Sequence, residues 1–207
     1  MLRKFLVISA LIAAVIGLEA CAKKPSPQEA CSFVQNGDQQ RISWGADTPV
    51  VLYIDGSVPP EFNDSIAGAI DDWNRSVGRE ILKLGGRVST NGEPQQDGVN
   101  VIYYMKTWEN NRMNEQARTT VYWAGDHIYE ADIRINASAG GKHEFFVGDD
   151  PQSGKIDMQS LMLHEFGHVL GLAHAVNPQS VMVRSLPTAT LRRQLSANDL
   201  SSIRCEY

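Results

Sequence analysis

The sequence predicts an α+β domain. Three observations carry that prediction. Short β-branched and aromatic runs end at turn residues. One amphipathic helix lies early in the folded region, and one almost wholly apolar helix lies late. The chain has 207 residues and a formal charge of −5. That length suits one domain with a real core. The mildly acidic balance gives no basic footprint, so nucleic acid is not an expected partner.

Taken in order, Arg3 and Lys4 precede an uncharged apolar run from Phe5 to Leu18. The run is too short for a comfortable membrane span and reads as a signal peptide over residues 1–20. It ends in Leu18-Glu19-Ala20-Cys21, which resembles a bacterial lipobox. Cys21 would then carry lipid and begin the mature chain, although Glu19 departs from the small or aliphatic residue usual there. Ordinary cleavage nearby and an uncleaved anchor are the alternatives. Residues 21–40, polar and with two prolines, read as a tether, and residues 41–207 as the domain. The protein is therefore expected to be exported to the cell envelope as a lipid-anchored, outer-membrane lipoprotein, or else to be periplasmic or secreted. A monomer is expected.

Thr48 to Ile54 (TPVVLYI) reads as a strand closed by Asp55-Gly56. Pro60 to Val77 follows as a helix, because Phe62, Ile66, Ile70, Trp73 and Val77 recur on one face. Gly85-Gly86 and Ser89 to Gly98 read as loop. Val99 to Met105 is a second buried strand, and Glu109 to Arg118 an exposed connection. Thr119 to Trp123 and His127 to Asn136 are strands around the turn Ala124-Gly125-Asp126. Asp157 caps a helix whose Met158, Leu161, Met162, Phe166, Val169 and Leu170 cover most of its circumference. Ser196 with Asp199 marks a last helix start.

The chemistry gathers in LMLHEFGHVLGLAH, where three of the five histidines fall within eleven residues. On a helix, residues four apart share a face, so His164 and His168 can present imidazoles to one ion. Gly171 can take a left-handed conformation and turn the chain, which brings His174 back as a third ligand. Three imidazoles hold one zinc and leave a position open for water, the catalytic arrangement. Glu165 stands beside the ligands, where a carboxylate can take a proton from that water. A core helix that merely contains histidines, or a purely structural zinc, are the bland alternatives.

This string resembles the zinc signature of the metzincin metallopeptidases. HAVNPQSVM is similar to the segment after the third ligand in matrixins, the matrix-metalloproteinase-like branch, with Met182 at the methionine turn. Astacin- and serralysin-like relatives place a zinc-contacting tyrosine just beyond that methionine; here Val183 and Arg184 follow. The resemblance implies a twisted mixed sheet with an antiparallel edge strand, packed on an N-terminal helix, a central zinc-site helix and a C-terminal helix. It implies a zinc-dependent endopeptidase acting on proteins or peptides through a Glu-assisted, zinc-bound water. Ala131-Asp132-Ile133-Arg134-Ile135 resembles the strand along which substrate lies, marking Ala131, Ile133 and Ile135 as substrate-binding. Leu186, Thr188 and Thr190 are candidates for a pocket wall. A peptide- or partner-binding surface lipoprotein, and a zinc hydrolase of cell-wall peptide cross-links, are rival readings.

With Cys21 lipidated, Cys31 and Cys205 remain as an even pair that an oxidising compartment would preserve as a disulfide. Two free thiols, or Cys31 as a zinc-ligating latch, are the alternatives. His143 reads as a loop histidine. Asp149-Asp150 offers carboxylates to calcium, but the calcium and second-zinc ligand patterns of vertebrate matrixins are missing.

Overall fold

The computed structural model describes residues 27–207, so the expected signal peptide and Cys21 lie outside the described residues. Its centre is a five-stranded sheet in the order β2-β1-β3-β5-β4. The strands are β1 (Val50–Asp55), β2 (Leu82–Val88), β3 (Asn100–Met105), β4 (Ala117–Ala124) and β5 (His127–Asn136). All neighbours run parallel except β4 and β5, an antiparallel hairpin. A small second sheet pairs β6 (Phe145–Phe146) with β7 (Ile156–Asp157).

One face of the large sheet carries α1 (Asn63–Val77) and α2 (Met158–Val169). Helix α1 follows a single 3-10 turn, Pro60–Phe62, and ends where Gly78 takes φ +83° and returns its N–H to Asn74 O. Its buried stripe holds Ile66, Ile70 and Trp73 at the predicted spacing, with Ala69 added and Val77 only partly buried. The indole of Trp73 has no exposure and donates to Leu163 O at 2.9 Å, pinning α1 to α2. Truncating such a ring costs about 3–5 kcal/mol.

Helix α2 is buried along nearly its whole length. Asp157 caps it by accepting the Ser160 N–H at 2.9 Å, and Arg193 holds the Asp157 carboxylate from outside. The other helix end leaves carbonyls that need donors. Trp44 Nε1 donates to Val169 O, and the Tyr207 hydroxyl donates to Leu170 O. Helix α3 (Ala197–Ile203) begins with the capping box of Ser196 and Asp199. Just past it, Cys205 is joined to Cys31, which removes Cys31 as a latch.

Three expectations change. Gly85 and Gly86 lie inside β2 rather than in a loop. Gly85 is demanded by the Tyr53 ring, which would meet any Cβ, and Gly86 takes φ +103° beside the register shift at Leu52/Tyr53. The folded unit also starts before residue 41. Phe33 is buried, Val34 N–H bonds Gly171 O, and Phe33 pairs across to Leu172. A bonded strand-like strap therefore replaces the later part of the expected tether.

The third change concerns the sheet edge. Strand β5 lies between β3 and β4, so both its hydrogen-bonding sides are occupied. Ala131, Ile133 and Ile135 have no exposure and belong to the main core. They cannot be the residues that meet a substrate. The free antiparallel edge is β4.

Candidate metal centre and active site

His164 and His168 sit one turn apart on α2, and the chain reverses at Gly171, where φ is +95°. A Cβ there would strike Ile42 O, so this turn requires glycine on two counts. His174 returns to the same point. His168 Nε2 lies 3.1 Å from His164 Nε2 and 3.3 Å from His174 Nε2. Nitrogens bound tetrahedrally to one zinc at about 2.0–2.1 Å stand roughly 3.3–3.4 Å apart. Among the described residues this is the only group of three or more His, Cys, Asp or Glu side chains close enough to share an ion.

Protonation favours metal as well. His164 Nδ1 is 2.8 Å from Val181 O, and His168 Nδ1 is 2.7 Å from Leu172 O. A carbonyl only accepts, so each Nδ1 carries the hydrogen and each Nε2 presents a lone pair to the centre. Burial pushes His164 down to about 4 and lowers His168, where neighbouring His164 adds to the effect. His174 falls to about 4, through burial and then the charge of His168. Three neutral imidazoles whose Nε2 atoms converge fit zinc.

Glu165 lies beside the ligands with 3% exposure and lines the cleft. Burial raises its carboxyl, opposed by His168 and by the Thr119 hydroxyl, which donates to Oε2 at 2.6 Å. Met182 packs under α2 at Gly167, where any Cβ would run into its sulfur. The turn that carries Met182 is built by Asp199: one carboxylate oxygen accepts from Ser180 Oγ and the other from Val181 N–H at 3.1 Å. Ser180 Oγ in turn accepts the Met182 N–H at 2.9 Å. Because Val181 O receives the His164 Nδ1 proton, Asp199 orients a metal-facing ring through two bonds. Sequence reasoning sees Asp199 only as part of a capping box. An acid facing Ser-Val-Met from a neighbouring helix leaves no local signal.

The cleft over the three histidines has a volume of about 700 Å³. Leu161, Gln116, Leu186, Val34, Ile42 and Trp123 are among the residues that line it. Leu186 is thus at the wall as expected, whereas Thr188 and Thr190 are not among its lining residues. Gln116 clasps Leu186 by two bonds, donating to its carbonyl at 2.8 Å and accepting its N–H at 3.0 Å. His143 rests on Met113 O, and Asp149 is engaged by Arg193 at 2.8 Å.

Residues 92–207 match the matrixin family, peptidase family M10. This chain is a matrixin. The match takes in β3 to α3, including the three histidines, Glu165 and the turn at Met182. Metalloendoproteinase 1 of Glycine max is 34% identical over 61 residues, 30% of this matrixin and 20% of that protein. Metalloendoproteinase 1-MMP of Arabidopsis thaliana is 33% identical over 64 residues, 29% of this chain and 18% of that protein. The matrixin described here therefore spans about a fifth of the length of those relatives in the matched stretch.

Proposed function

We propose that this matrixin is a zinc-dependent endopeptidase. The observation that carries the reading is the convergence of three histidine Nε2 atoms beside a buried carboxylate, in a cleft shared with the terminal strand β4. Zinc held by His164, His168 and His174 would supply a Lewis acid for the scissile carbonyl and acidify a water to a pKa of about 7. Glu165 accepts the proton of the attacking water at its carboxylate and delivers it to the leaving amine nitrogen. Raised by burial, the carboxyl is suited to hold that proton between the two transfers. Main-chain groups of β4 receive a peptide as an added strand, which binds without demanding a particular sequence. Met182 gives the ligand helix an apolar floor.

The setting is extracytoplasmic in this reading. The Cys31–Cys205 bond persists in an oxidising compartment, and no helix among the described residues is long and apolar enough to cross a membrane. Lipidation of Cys21 would tether the domain to the envelope; mass analysis of the mature N-terminus checks for the acyl groups.

The functional test combines zinc quantification with cleavage-site profiling on denatured proteins. Wild type should hold one zinc and cut, whereas Glu165→Ala should keep zinc and lose about 10²- to 10⁴-fold or more in kcat. A zinc-loaded wild type that cuts no protein substrate would instead favour a binding role or a cell-wall substrate.

A further inference from the structure

We propose that Thr119 is a positioning residue that holds Glu165 in its working orientation. The inference rests on the endopeptidase reading above and deepens it. A glutamate side chain has three rotatable bonds, and the histidines beside Glu165 are turned toward one another and toward Val181 and Leu172. The restraint comes instead from the sheet. Thr119 Oγ1 lies 2.6 Å from Glu165 Oε2 and 3.3 Å from Glu165 O. While Glu165 is ionised, as a proton acceptor must be, both partner atoms only accept, so the hydroxyl is the donor, and the shorter contact assigns its proton to the carboxylate. Threonine is stiff at χ1, which fixes the hydroxyl once the strand is fixed. Strand β4 is fixed here by the pairing of Thr119 with Ile133 of β5. With Oε2 held, the other carboxylate oxygen is the one left to the cleft that Glu165 lines.

Thr119 also lines that cleft, on the strand whose free edge would take the substrate. One element thus registers the peptide main chain and aims the proton acceptor. A displacement of either would move both against the scissile bond together. A serine keeps the donor with a looser rotamer, whereas valine keeps the shape and removes it.

The experiment measures kcat and KM of zinc-loaded wild type, Thr119→Val, Thr119→Ala and Thr119→Ser on one peptide, with zinc content and Tm for each. Thr120→Val, altering the other face of the same strand, is the comparison. The expected result for Thr119→Val and Thr119→Ala is a kcat lower by about 10- to 100-fold, with KM within about threefold and zinc stoichiometry unchanged. Thr119→Ser recovers most of kcat, and Thr120→Val leaves it near wild type. Unchanged kcat in zinc-loaded Thr119→Val overturns the assignment, even if Tm falls, since the hydroxyl would then only compensate a buried acid. Equal losses in Thr120→Val, or valine and alanine variants too unstable to load zinc, also overturn it in favour of a structural role. A wild type without zinc-dependent cleavage refutes the endopeptidase reading itself and is distinguishable from all of these.

Discussion

Glu165 and Asp132 are both buried acids, at 3% and 0% exposure, yet they are buried in different company. Glu165 faces a cleft and has a hydroxyl on Oε2. Asp132 lies with Glu130, two residues away on the same side of β5, beneath the β2–β3 loop. Asp132 Oδ1 accepts the Val101 N–H at 3.0 Å, and Glu130 Oε2 accepts the Gly98 N–H at 2.5 Å. Their other oxygens, Asp132 Oδ2 and Glu130 Oε1, have no hydrogen-bond partner. Burial, with the negative charges of Glu130 and Asp97, lifts Asp132 to about 7 against the pull of the Val101 bond. A perturbed acid is therefore not enough to mark a reactive one. Access to the cleft and adjacency to convergent metal donors separate the two.

The comparison can be broken most severely at the metal. His168→Ala removes the nitrogen that lies closest to both other ligands, and zinc content should fall to near zero while Asp132 keeps its environment. Next is Asp199→Ala, which frees the Ser180–Met182 turn and with it the carbonyl that orients His164. Zinc affinity should drop about 10- to 100-fold, read by competition with a chelating dye. Affinity equal to wild type would show that the turn holds without the carboxylate. Separating Cys31 from Cys205 by a Cys205→Ser substitution should cost about 2–5 kcal/mol in denaturant unfolding, with the zinc ligands untouched.

The smallest effect sharpens the contrast from the other side. A raised carboxyl means the folded protein binds that proton more tightly than the unfolded chain does. Stability should fall as pH rises from about 4 to about 7, with the whole loss present above about 7. Asp132→Asn removes that loss and offers an amide toward Glu130. Its Tm should exceed wild type by a few degrees at about pH 8 and match it at about pH 4, with kcat unchanged. A pH-independent difference would mean that Asp132 does not carry the titration.

What the sequence revealed follows from how local each feature is. The ligand helix, its Asp157 cap, the turn at Gly171 and the α1 stripe are written in spacings of three and four, and all four appear as expected. The identity of the free edge is not local. Strand β5 alternates polar and apolar residues as an edge strand would, and only its pairing with β3 on one side and β4 on the other makes it interior. Gly85-Gly86 carries the composition of a loop but the role of a close contact, because its partner Tyr53 is some thirty residues earlier. Thr119 and Asp199 escaped for the same reason. Each acts on the centre across a tertiary contact that neither periodicity nor motif encodes.

The Tyr207 hydroxyl donates to Leu170 O, the carbonyl just past the end of α2. That hydroxyl also receives the Trp44 N–H at 3.1 Å, so it wedges the N-terminal strap against the helix that bears two ligands. Loss of this hydroxyl, as in Tyr207→Phe, would loosen the metal grip from behind without altering a single coordinating atom.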